Sequence, residues 1–372
     1  MIYRASEIRK VQLELTSRCN AACPQCPRNH FGGKTHSNLP IVDLSLEDLK
    51  NIFPSSFIKQ LELFYFCGTY GDPINSQHLI DAIIWLRSQN PTMEIGVNSN
   101  ASARPERWWQ SLAAAIGEKG YVTFSIDGLK DTNPLYRRNT NFDMIIRNAK
   151  AFIQAGGTAR WDFIIFSHNE HQVEACQKLA TDMGFSKFTA KRTGRFIGKD
   201  HQLIEKHPVL NRSGKTEYFL EQPKSKAFLN AAVKKMLVLQ SQNIDIKAKL
   251  ENADINCLAR RRNEVYVSAE GLVLPCGWIH DRFYGVQAEG TPSSSQILSW
   301  VEQLGGKEKL DARFHGIMEI IEGPFFSQVA RSWALNSFND GRCERCAMIC
   351  GDTLSPVKTQ YNDTEIRQFS NN

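Results

Sequence analysis

Eight of the ten cysteines in this chain fall into two groups whose spacing could hold metal. Cys19-Asn-Ala-Ala-Cys23-Pro-Gln-Cys26 places three thiols in eight residues. Thiolates are soft ligands that suit iron–sulfur clusters and zinc. Three of them with no adjacent fourth fit a cubane with one iron left open. Structural zinc ordinarily closes with four ligands, and His30 is the only nearby candidate to complete such a set. The second group is Cys257 and Cys276, which flank a hairpin pattern, with Cys343-Glu-Arg-Cys346-Ala-Met-Ile-Cys350. CxxC pairs of this kind also bind zinc well, so a zinc-stabilised binding or regulatory protein stands as the reading outside enzymology. Cys67 and Cys176 stand alone and read as buried core thiols.

The elements that must position these thiols follow from periodicity. Apolar runs at Val11–Leu15, Leu61–Phe66, Met93–Val97, Tyr121–Ile126, Trp161–Phe166 and Lys187–Lys191 read as strands. Helical stripes lie between them, around Leu79–Leu86, Trp108–Ile116, Met144–Ile153 and Val173–Met183. Ser45-Leu-Glu-Asp48 has the form of a helix start, with Ser45 as N-cap. Six strand–helix steps in about 190 residues indicate a parallel sheet with right-handed crossovers. Six units are too few for a closed eight-unit barrel. The fold class is therefore α/β: a partial (β/α)6 TIM-like barrel over residues 1–198, with a small C-terminal α+β cluster-binding domain over 256–352. Residues 199–255 read as a polar linker with a helix over Ala227–Gln240. Glu264–Ser268 and Leu272–Leu274 read as a hairpin of the second domain. Residues 353–372 read as a polar, mobile tail.

Composition sets the outer limits. With 42% hydrophobic and 23% charged residues, a chain of 372 residues can bury a sizeable core. The net charge of +6 is mild, and the Arg260-Arg261-Arg262 triplet reads as a solvated face, so no nucleic-acid partner is expected. No run of about 20 apolar residues suggests a membrane span, and the N-terminus lacks a signal-peptide core. The expected location is cytoplasmic, where clustered thiols point to metal more than to disulfides.

The leading strand, the CxxxCxxC spacing and the six-fold strand–helix rhythm resemble the radical S-adenosylmethionine (AdoMet) superfamily. That resemblance implies a [4Fe–4S] cluster on Cys19, Cys23 and Cys26 whose open iron chelates AdoMet. It further implies reductive cleavage to a 5′-deoxyadenosyl radical, which abstracts hydrogen from a substrate. Gly68-Thr-Tyr70-Gly71-Asp72-Pro73 sits where the family carries Gly-Gly-Glu-Pro, with two extra residues between the glycines and Asp for Glu. Gly68, Tyr70, Gly71 and Asp72 are accordingly cofactor-binding candidates. Asn98, Ser125 and Asp127, at the ends of the third and fourth strands, are candidates for the ribose and carboxylate, with Arg138 and Arg192 as carboxylate partners.

The C-terminal pattern resembles the SPASM and twitch auxiliary-cluster domains and implies a second [4Fe–4S] cluster. Cys257, Cys276, Cys343 and Cys346 form the preferred ligand set, with Cys350 as a substitute or a free thiol. The resemblance implies a flavodoxin- or ferredoxin-type electron donor. It leaves two substrate classes open: a peptide or carrier protein, or a small metabolite such as an amino sugar or aminocyclitol. No catalytic acid or base can be named from the residues.

Overall fold

The computed structural model describes residues 3–198, 201–285 and 292–360. Ten strands are named in chain order. They are β1 Lys10–Leu13, β2 Leu63–Phe66, β3 Glu94–Ser99, β4 Gly120–Ser125, β5 Ala159–Ile165, β6 Lys187–Arg192, β7 Lys206–Leu210, β8 Thr216–Glu221, β9 Glu264–Val267 and β10 Val273–Leu274. Eight of them form one sheet in the order β10-β9-β1-β2-β3-β4-β5-β6, and only the β9–β10 pair is antiparallel. The first and last strands of that order are not paired to each other, so the barrel is open, as the six-unit count predicts.

Alternation within the strands fixes which face meets the helices. In β5 the residues Ala159, Trp161, Phe163 and Ile165 are buried, and Arg160, Asp162 and Ile164 between them are half-buried. Successive side chains of a strand point to opposite faces. The buried set packs outward, as when Phe124 of β4 meets Trp109 and Phe152 of the flanking helices at 5.4 and 5.9 Å between ring centroids. The opposite face is polar: Arg160 lies 3.5 Å over the Tyr121 ring and pairs with Glu94. A parallel sheet covered on both faces would be apolar throughout, so this polar face marks a side meant to receive something other than a helix.

Local capping accounts for the helix starts. Ser45 accepts from the Asp48 N–H while the Asp48 carboxylate accepts from the Ser45 N–H, the capping box expected from the sequence. Asn230 caps the helix Ala231–Ser241, which therefore begins four residues later than the apolar pattern suggested.

Three expectations are corrected. The hairpin β9–β10 does not stand in a separate small sheet: β9 pairs in parallel with β1, Val11 opposite Val265 and Leu13 opposite Val267. The stretch taken as polar linker holds the antiparallel pair β7–β8. The tail is docked as far as Gln360, through Gln360 O to Arg192 N, and through Thr359 and Pro356 to Asn230; residues 361–372 lie outside the described residues.

Candidate active site

The chain leaves β1 at Leu13 and carries the first three cysteines in the following loop, at the C-terminal end of the parallel strands. Ligands of open α/β sheets bind at that end. Cys26 N donates to Cys23 O at 3.0 Å, and all three thiols pack into one cluster with Ala21, Tyr136, Phe166 and Phe196. Each faces a polar partner or a cation. Arg137 Nη1 lies 3.8 Å from Cys23 Sγ, and Asn100 Nδ2 lies 3.9 Å from Cys19 Sγ. Burial raises the pKa of all three thiols, Cys23 to about 11, while Arg137 pulls against that rise at Cys23 and Arg195 and Arg28 do so at Cys26. Three soft donors packed in one cluster, with cations to offset thiolate charge, fit an iron–sulfur cluster bound through three irons.

The glycine turn after β2 is seated by a buried carboxylate. Glu14 is 1% exposed, and its Oε1 accepts from Tyr70 N at 2.6 Å and Gly71 N at 2.7 Å. A Cβ on Gly71 would lie 1.7 Å from Thr16 O, and one on Gly68 would lie 2.6 Å from Glu14 Oε1. Only glycine allows this approach of turn to loop. Glu14 Oε2 accepts from Tyr266 Oη of β9 at 2.7 Å, and Tyr266 Oη lies 2.9 Å from His280 Nδ1. Burial lowers the His280 pKa to about 3, so the ring is neutral. The Tyr70 hydroxyl donates to His280 O at 2.8 Å.

The predicted contacts at the strand ends divide. Asp72 is spent on architecture: its Oδ2 accepts from Asn100 N at 2.7 Å and Nδ2 at 2.6 Å, and its Oδ1 from Ile74 N. Asp127 is fully buried and paired at 2.6 Å with Arg137, its other oxygen accepting from Ile164 N. Burial raises the Asp127 pKa against the pull of Arg137. Arg138 pairs with Glu217 at 2.6 Å. Arg192 ends β6, and its backbone joins Gln360 and Asn230. The Cys67 thiol is half-buried just past the end of β2 and not fully enclosed as the sequence suggested; burial raises its pKa and Asn98 pulls against that rise. Ser125 stands opposite Asp162 in register, and Asp162 forms an ion pair with Lys191. Glu14, Asn100, Arg137 and Tyr266 escaped the sequence reading. A charged residue at the end of an apolar strand was the available signal for Glu14; the others depend on contacts between distant segments.

The second thiol set also converges. Cys257, Cys276, Cys346 and Cys350 line one cavity with Trp278, Trp333 and Arg345. Cys343 is wholly buried at the N-cap of the helix Glu344–Cys350. Tyr3 Oη lies 4.0 Å from Cys257 Sγ. Among the described residues, no three His, Cys, Asp or Glu groups are placed to hold one metal ion; the thiols of a cubane each bind a different iron, so they share a cavity and not a point. No helix among the described residues is long and apolar enough to cross a membrane.

Comparison with known proteins bears on the fold. No curated protein matches the sequence. Streptococcus suis SuiB bound to its precursor peptide SuiA is 12% identical, with a TM-score of 0.55 over 92% of this chain and 72% of that one. Native anSMEcpe with bound AdoMet and the Cp18Cys peptide is 14% identical, with a TM-score of 0.52 over 95% and 91%. Against SuiB bound to S-adenosylmethionine the TM-score is 0.48 at 13% identity, over 73% of this chain and only 60% of that one. At these identities the likeness is one of fold. Residues 13–179, the segment that holds the three-cysteine loop and the glycine turn, match the model of the Radical SAM superfamily.

Proposed function

We propose that this protein is a radical AdoMet enzyme that abstracts hydrogen from a peptide or protein substrate. The observation that carries the reading is the convergence of Cys19, Cys23 and Cys26 at the strand mouth, beside a glycine turn clamped by Glu14. When bound, a [4Fe–4S] cluster with AdoMet supplies the electron that splits the sulfonium into methionine and a 5′-deoxyadenosyl radical. The chain's own residues hold and shield. Cys19, Cys23 and Cys26 would ligate three irons, and Arg137 would offset their charge. The turn Gly68–Asp72, held in place by Glu14, would present its backbone to the cofactor's amino group. Asn98 and Ser125 would serve the ribose and carboxylate. Asp72, Asp127 and Arg138 act by fixing this frame, through Asn100, Arg137 and Glu217.

The peptide class draws its support from SuiB and anSMEcpe, whose structures carry peptides on the same fold. The second thiol set supports an auxiliary [4Fe–4S] cluster, and a flavodoxin or ferredoxin would reduce the first.

Anaerobic purification tests the whole reading. A brown protein with about eight irons per chain, two cubanes of four, and dithionite-dependent 5′-deoxyadenosine support it. A colourless zinc protein that leaves AdoMet intact refutes it. Cys19→Ala, Cys23→Ala or Cys26→Ala should abolish cleavage. Deuterium carried from a labelled peptide into 5′-deoxyadenosine supports the peptide class; transfer only from a small metabolite overturns it.

A further inference from the structure

On one side, a single layer of chain separates the first thiol group from solvent. In the hairpin β7–β8, Val209 and Leu220 are buried in the same apolar cluster as Cys19, Cys23 and Cys26. Successive residues of a strand face opposite sides, so their neighbours look outward. Pro208 stands opposite Phe219 in register, and Phe219 is 52% exposed. The turn between the strands is braced, because Asn211 Oδ1 accepts from Ser213 N and Lys215 N, each at 3.0 Å. The loop that follows Cys26 lies against it, with Leu210 N donating to Phe31 O at 2.9 Å.

Positive charge gathers on this side of the chain. Residues 201–262 carry 12 Lys and Arg against six Asp and Glu, so the whole excess of +6 falls within them. The carboxylates of the hairpin are engaged, Glu221 with Lys206 at 2.8 Å and Glu217 with Arg138 at 2.6 Å. Arg212 and Lys215 at the turn, and Lys34 on the adjoining loop, are exposed and stand outside those two pairs. An apolar centre within a polar rim is the anatomy of a protein interface, and a rim of one sign steers a partner of the other.

We propose, on the reading of Cys19, Cys23 and Cys26 as cluster ligands, that the outer face of β7–β8 docks an acidic one-electron carrier protein. Phe219 and Pro208 form the centre of the contact, and Lys34, Arg212 and Lys215 its rim. The reduced carrier gives up one electron and the cluster takes it; no bond or proton moves at the interface. Electron transfer weakens steeply with the protein it must cross, and a carrier on this face has one hairpin's thickness to cross.

The test uses the full, iron-loaded chain with a purified acidic flavodoxin as the probe. Oxidised flavodoxin should bind at low salt and be released at about 1 M salt, where screening is nearly complete. Arg212→Glu with Lys215→Glu should weaken that binding about tenfold and slow cluster reduction by pre-reduced flavodoxin about tenfold. Phe219→Ser should weaken binding about tenfold with an unchanged salt dependence. Reduction by dithionite, which needs no docking, should be the same in all. Lys59→Glu with Lys119→Glu makes the same charge change at exposed sites near the N-terminal ends of β2 and β4, and should bind as the parent does. Circular dichroism establishes that each chain is folded. Hairpin variants that bind and accept electrons as the parent does overturn the docking site. So does a loss of peptide deuterium transfer with dithionite as reductant, which gives the face to an acidic peptide. A parent dimer that Phe219→Ser converts to monomer gives it to a second copy and overturns the carrier as well. A chain with no cluster on Cys19, Cys23 and Cys26 fails the underlying reading; a loaded, dithionite-reducible chain indifferent to the hairpin's charge fails the docking alone.

Discussion

Asp127 has no exposed surface, and a carboxylate in that position needs its cation. Arg137 supplies it at 2.6 Å while also reaching Cys23. Burial disfavours the arginine charge, but Asp127 and Cys23 outweigh it and hold the pKa above the ordinary value. Arg137→Met therefore leaves a buried, unpaired carboxylate and should cost about 3–5 kcal/mol in denaturant unfolding. Adding Asp127→Asn should recover more than half of that loss; a single variant as stable as the parent would mean that the pair is not desolvated. A second residue acts through sulfur. Tyr3 Oη is placed to donate to Cys257 Sγ, and hydrogen bonds to cluster sulfurs raise the reduction potential. One such bond is worth about 1 kcal/mol, or about 40 mV for one electron. With the proposed second cluster bound, Tyr3→Phe should lower its potential by about that amount at unchanged iron content, as read by potentiometric titration.

At the level of the element, the turn after β2 depends on contact distances that no local propensity reveals. Gly71→Ala would drive a methyl group into Thr16 O, so the turn must move off Glu14. AdoMet cleavage should fall at least tenfold, whereas Gly316→Ala, at a helix N-cap where the added carbon meets nothing nearer than 3.8 Å, should cost no more than about 1 kcal/mol of stability and leave cleavage near that of the parent. Wild-type turnover in the Gly71 variant would show that the seat is not needed. The hairpin β7–β8 carries a pH signature. His207 is 6% exposed, and burial, with Arg195 nearby, lowers its pKa to about 4. The unfolded chain binds the proton near pH 6.5 and the folded chain near 4, so between those values the unfolded state holds more protons. Stability is then lost as pH falls, by up to about 1.4 kcal/mol per pH unit. His207→Gln should flatten that slope when melts at pH 7, 6 and 5 are compared with the parent; parallel slopes would place the ring in solvent. This hairpin was hidden in the sequence because half of β8 is exposed and only Leu220 in it is buried, so it lacks the apolar face by which the barrel strands announce themselves.

For the whole molecule, what was legible divides by distance along the chain. The six parallel strands and their helices could be read because each burial pattern is local, and the thiol groups because their spacing is short. The joining of β9 to β1 could not be read. Val11 and Val265 carry the same β-prone, apolar character as any other pair, and nothing local selects the partner. Nor could the clamp on the glycine turn, since Tyr266 and Glu14 are 252 residues apart. These long-range contacts tie the second thiol group to the first. Cys276 begins the helix Gly277–His280, His280 meets Tyr266, and Tyr266 holds the carboxylate that seats the turn. The division near residue 198 expected from composition then has a physical consequence. A chain ending there keeps β1–β6 but strips β9 from β1, leaving the strand's backbone groups and the apolar residues Val11 and Leu13 uncovered. An uncovered apolar strand edge is a template for aggregation. Glu14 also loses the Tyr266 hydroxyl while remaining in contact with the turn. Residues 1–198 alone should therefore be recovered largely as aggregate, or as a monomer without a cooperative melt, under conditions where the full chain is soluble. A monomeric fragment that unfolds cooperatively near the parent melting temperature would show that β9 is an accessory to the sheet and that the two thiol groups sit on separable bodies.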